Sequence, residues 1–93
     1  MTDIRINRGS DADFKVSWPA DLTGRTLSLY EPHPLLAANM TLTLEAATPE
    51  ASIIAVRLEW SDSMPMGRAM RFRIRAALGD DARTTQEMWV VVQ

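Results

Sequence analysis

The stretch from Met66 to Gln93 constrains the fold more than any other part of the chain. Within it Met70, Phe72 and Ile74 alternate with Arg71, Arg73 and Arg75. That two-residue period gives an extended strand one apolar and one cationic face, and a helix cannot satisfy it. Thr84 to Val92 follows, rich in β-branched and aromatic residues and apolar on both faces near its end. Gly79-Asp80-Asp81-Ala82 between them reads as a tight acidic turn.

The pattern predicts a register for this hairpin. A turn at Asp80-Asp81-Ala82 sets Gly79 opposite Arg83 and pairs Arg75 with Glu87, Arg73 with Trp89 and Arg71 with Val91. The same register pairs Ile74 with Met88, Phe72 with Val90 and Met70 with Val92, which makes the second face wholly apolar. A one-residue slip would mix the two faces. The outer face would then carry an ion pair and an Arg over an indole, each contributing roughly 0.2–1 kcal/mol as cross-strand partners.

The rest of the chain repeats the short-strand pattern. Ile4 and Ile6 alternate with Arg5 and Asn7 up to a turn at Arg8-Gly9-Ser10-Asp11. Phe14, Val16 and Trp18 alternate with Lys15 and Ser17 until Pro19, which has no N–H to give to a ladder. Asp21-Leu22-Thr23-Gly24 is a turn with Gly24 at positive φ, and Leu27 and Leu29 mark a third strand. Glu31-Pro32-His33-Pro34 interrupts the ladder, and Leu35 to Asn39 suffices for one helical turn. Met40, Leu42 and Leu44 form a fourth strand, and Ser52 to Trp60 a fifth with Ile54, Val56, Leu58 and Trp60 on one face. About seven strands without an amphipathic helix predict an all-β, antiparallel, immunoglobulin-like β-sandwich, with a small barrel as the other closure.

Composition narrows the function. With 93 residues, the expectation is one domain over 1–93. Ten basic and twelve acidic residues, formal charge −2, predict no partner among nucleic acids or anionic membranes. Nine of the ten cations are Arg, the side chain suited to planar, bidentate contacts at interfaces. With no cysteine there is no disulfide, thiolate nucleophile or thiolate metal ligand. The start, Met1-Thr2-Asp3-Ile4-Arg5, lacks the apolar core of a signal peptide, which predicts a soluble protein made in the cytoplasm.

Candidate chemistry is sparse. His33 is the single histidine, and no G-x-S-x-G or glycine-rich phosphate loop occurs, so no catalytic or cofactor-binding residue is expected. Asp11 with Asp13 and Asp80 with Asp81 are the carboxylate pairs. They fit turn formation, and no metal site is expected. The candidate interaction face is Arg71, Arg73, Arg75, Glu87 and Trp89, because Arg and Trp are enriched at interface hot spots. Met64 and Met66 form a candidate interaction loop of adaptable thioethers, set against the reading that one of them plugs the core.

Ile6-Asn7-Arg8-Gly9-Ser10-Asp11-Ala12-Asp13-Phe14-Lys15-Val16-Ser17-Trp18, followed by Asp21-Leu22-Thr23-Gly24-Arg25-Thr26-Leu27, resembles small immunoglobulin-like domains of tailed-bacteriophage virions. The likeness is to the N-terminal domain of baseplate upper proteins and to related tail and head-fibre modules. It extends to Gly67-Arg68, Phe72, Gly79-Asp80 and Val90-Val91-Val92, while Ala69-Met70 and Gln86-Glu87 depart from the family pattern. The resemblance implies a non-enzymatic structural protein of a phage or prophage virion, made in the host cytoplasm and acting through protein–protein contacts in the tail, baseplate or capsid surface. Its implied partners are other virion proteins, with repeated copies in a symmetric assembly and no cofactor. The alternative from another class is a carbohydrate-binding β-sandwich module that stacks sugars on Trp89, Tyr30 or Trp60.

Overall fold

The computed structural model describes residues 2–85 and 87–93. In chain order the elements are β1 (Thr2–Ile6), β2 (Ala12–Trp18), β3 (Thr26–Tyr30), α1 (Pro34–Asn39), β4 (Met40–Ala47), β5 (Ser52–Leu58), β6 (Ala69–Leu78), β7 (Asp81–Thr84) and β8 (Met88–Val92). They make two sheets. One runs β1-β8-β6-β3, with β7 also paired to β6, and the other runs β2-β5-β4. The protein is therefore all-β, with eight strands among the described residues against the seven expected.

The alternating patterns became strands because each inward set found the other sheet. Met70, Phe72, Ile74 and Ala76 of β6 are fully buried, as are Ile54, Val56 and Leu58 of β5. Phe14 of β2 meets Phe72 across the interior, ring centroids 6.4 Å apart at 55°. Burying each of the larger side chains contributes roughly 1.5–3 kcal/mol. The expected inward placement of Trp60 is only half met. β5 ends at Leu58, and half-buried Trp60 is tied by its backbone N–H to Asp11 Oδ1 (2.7 Å) and by Nε1 to Asp62 Oδ1 (2.9 Å).

The local signals hold at the turns. Gly9 and Gly24 both take positive φ, 81° and 77°, where a side chain would be strained. Asp21 Oδ1 accepts from the backbone N–H (3.0 Å) and the hydroxyl (2.6 Å) of Thr23, which closes that turn and lowers the Asp21 pKa. The helical turn begins at His33, whose Nδ1 accepts from the Leu35 N–H at 3.2 Å, and it drives Leu36 into the core.

Three expectations are corrected. The sheets are not wholly antiparallel, because β1 runs parallel to β8 from Thr2 opposite Met88 to Ile6 opposite Val92. Turns dictate antiparallel pairing for sequence neighbours, and no turn links the first strand to the last. The hairpin turn is Gly79-Asp80 rather than Asp80-Asp81-Ala82, since Leu78 pairs with Asp81 and Gly79 takes φ 58°. Finally, the expected strand from Thr84 to Val92 is two strands. β7 pairs Arg75 with Thr84, β8 pairs Phe72 with Met88, and the register moves by one residue between them. Gln86, within that segment, lies outside the described residues.

Two residues that the patterns did not single out fasten the loops. Ser52 is buried, donates to the Ala20 carbonyl (2.7 Å) and accepts from the Leu22 N–H (2.9 Å). Its position at the start of a strand gives no periodic signal, because its role is hydrogen bonding to a distant loop. Arg25, its side chain 10% exposed, holds Asp81 Oδ2 at 2.7 Å and so joins the β2–β3 loop to the β6–β7 turn.

Candidate interaction face

The five face residues expected from the sequence lie together on the outer side of the larger sheet. Burial alternates along β6, so Arg71, Arg73 and Arg75 point away from the core that holds Met70, Phe72 and Ile74. In β8 the alternation buries Met88, Val90 and Val92 and turns Trp89 and Val91 outward. Neighbouring strands complete the surface row by row. Asp3, Trp89 and Arg71 form one row, Arg5, Val91 and Ala69 the next, and Arg73 pairs with Tyr30 on the far side. Trp89, Val91 and Tyr30 are each half-buried, with Trp89 and Val91 on β8 and Tyr30 on β3 flanking the arginines of β6.

Glu87 organises the cations. Its Oε1 accepts from Arg73 Nη2 at 3.0 Å and from Arg71 Nη1 at 3.3 Å, so one carboxylate oxygen serves two guanidiniums. The predicted pairs are thus displaced. Trp89 lies opposite Arg71 instead of Arg73, Glu87 holds Arg73 and Arg71 instead of Arg75, and Arg75 lies opposite Thr84 and Ser28. The predicted and observed registers differ by two residues at β8, which is why the pairs change while every side chain keeps its face. The face carries Arg5, Arg71, Arg73 and Arg75 against Asp3 and Glu87, an excess of positive charge on a chain whose formal total is −2.

The structure separates the two methionines of the candidate loop. Met64 is 5% exposed and packs in the core, whereas Met66 is 50% exposed and bridges to Val92 at the end of β8. The available thioether is that of Met66, beside the outer face's sheet.

The carboxylate pairs are engaged by arginine. Arg57 reaches Asp11 Oδ2 and Asp13 Oδ2, both at 3.1 Å. Asp81 is held by Arg25, and that hydrogen bond lowers its pKa from the ordinary value. Among the described residues no three His, Cys, Asp or Glu side chains gather closely enough to hold a metal ion, and no helix is long and apolar enough to cross a membrane. An open cleft of about 550 Å³ runs between the sheets along β2, and Lys15 is the one ionisable side chain among its lining residues.

No protein-family model matches the chain, and no curated protein matches it.

Proposed function

We propose that this chain is a non-enzymatic structural protein of a bacteriophage or prophage virion, with immunoglobulin-like topology, working by protein–protein contact in the tail, baseplate or capsid surface. One observation carries the contact reading. The outer face of the larger sheet presents half-exposed Trp89 and Val91 beside Arg71 and Arg73, with both guanidiniums pre-positioned by Glu87. Apolar anchors flanked by ordered arginines match the composition of interface hot spots, and fixing the arginines beforehand lowers the entropy lost on binding. The virion assignment is supported by the resemblance in Ile6–Trp18 and Asp21–Leu27, and the two-sheet architecture accords with it.

Mass spectrometry of purified particles tests this reading. The parent chain is expected in the particle, and Arg71→Ala with Trp89→Ala is expected to be lost from it while the free variant stays folded. Absence of the parent from particles would remove the virion reading, and full incorporation of the double variant would remove the face from the contact. The carbohydrate-binding reading draws on the same surface, because Trp89 and Tyr30 share one face two strands and two residues apart, about 12 Å at ordinary strand geometry. Binding of the isolated chain to a glycan panel, abolished by Trp89→Ala, would favour it.

A further inference from the structure

Open sheets have edges whose backbone groups can pair with another strand, and this fold protects its edges unequally. β4 carries a register shift between Leu44 and Ala46. β1 and β3 are five residues each, and β3 runs into Glu31-Pro32. β2 is different. It has seven residues without glycine or proline, pairs with β5 without a shift from Ala12 to Trp18, and has no strand on its other side among the described residues. Alternate N–H and C=O groups of β2 therefore point outward with no ladder to join.

We propose that two copies of this chain pair β2 with β2 in antiparallel register centred on Phe14, joining their three-stranded sheets into one continuous sheet. The charges select both the occupant and the register. Residues directly opposite in an antiparallel pair share a face, so a two-fold axis must pass through a residue position. Centring on Asp13 opposes Asp13 to its own copy, and centring on Lys15 opposes two lysines, both unfavourable. Centring on Val16 sets Asp13 against Pro19 and forms no ion pair. Centring on Phe14 sets Asp13 against Lys15 twice, Phe14 against Phe14 and Ala12 against Val16 twice. A lysine in an edge strand ordinarily discourages pairing, but Asp13 two residues earlier makes this strand complementary to itself.

The flanking groups extend the match. Lys15 already reaches Glu45 at 2.8 Å and Asp13 reaches Arg57 at 3.1 Å. In the dimer Glu45, Lys15, the second copy's Asp13 and the second copy's Arg57 stand in a row of alternating sign. On the other side of the strand Phe14 and Val16 line the open cleft with Ile4, Trp18 and Met88, and the second copy shields their free flank.

Sedimentation velocity over a dilution series is the test. The parent sediments as a dimer at high concentration. Asp13→Lys and Lys15→Asp each raise the dimer dissociation constant about tenfold or more, and an equal mixture of the two recovers the dimer because the reversed charges complement one another. Amide hydrogen exchange on the parent needs no variant, and protection within Ala12–Trp18 should fall on dilution. A parent that stays monomeric, with exchange in β2 independent of concentration, overturns the proposal. So does a dimer that neither charge reversal weakens.

Discussion

The two faces of β6 are built from the same ten residues and obey different rules. Met70, Phe72, Ile74 and Ala76 face inward with no exposed surface, and each is held by the volumes around it. Arg71 and Arg73 face outward and are held by one carboxylate, Glu87, whose side chain is itself 29% exposed. The inner face fixes the fold through packing, where lost volume leaves a cavity. The outer face contributes little to stability, since exposed ion pairs are typically worth about 0–1 kcal/mol.

The sharpest way to break this contrast is to truncate neighbours on opposite faces. Phe72→Ala should cost about 3–5 kcal/mol in urea unfolding, because the ring is fully buried and faces Phe14. Arg71→Ala, one residue away, should change stability by no more than about 0.5 kcal/mol. Comparable losses at the two positions would mean that the outer face also carries the fold.

A second pair tests the same division in the preceding loop. Met64→Ala should destabilise by about 2–5 kcal/mol and Met66→Ala by less than about 0.5 kcal/mol, since Met64 is in the core and Met66 is half exposed. Thermal melts of the two variants read the difference directly, and equal shifts would contradict the burial.

The smallest effect lies at the hairpin tip. Arg25 lowers the Asp81 pKa in the folded state, so the pair adds stability above the ordinary carboxylate value of 3.8 and loses it as pH falls through the lowered one. Asp81→Asn should therefore lower Tm near neutral pH, with the gap from the parent closing in strong acid. A gap that stays constant with pH would show that the charge of Asp81 is not what holds Arg25.

This hairpin shows what a sequence conveys and what it withholds. Alternation from Met70 to Arg75 is enough to assign each side chain to a face, because burial is a two-state property with the period of the strand. It cannot assign pairs. Sliding β8 by two residues leaves Met70, Phe72 and Ile74 inward and Trp89 outward, so the hydrophobic pattern is blind to the slip. The register was decided by Gly79, whose positive φ permits a two-residue turn, and by the one-residue shift between Thr84 and Met88. The same limit applied to β1. Its strand character was evident from Ile4 and Ile6, while its parallel partner β8 depends on how the whole chain winds. Ser52 and Arg25 were invisible for a related reason, as each acts on a loop far away in sequence.

The charges of the second sheet mirror those of the first. On the larger sheet one anion, Glu87, gathers two cations, whereas on the smaller sheet one cation, Arg57, gathers two anions, Asp11 and Asp13. Each arrangement orders its minority charge and leaves an excess of the other sign at the surface. The two sheets therefore present unlike surfaces, an arginine and indole face on one and the unpaired β2 edge on the other.

Hydroxyl-radical footprinting of the free chain and of the particle proposed to contain it tests the central claim most directly, with tryptophan oxidation read by mass spectrometry. If the outer face of β6 and β8 is the contact surface, Trp89 oxidation falls several-fold in the assembly, while Trp18, buried within the fold, stays low in both states. Equal oxidation of Trp89 in the free and assembled states would contradict it.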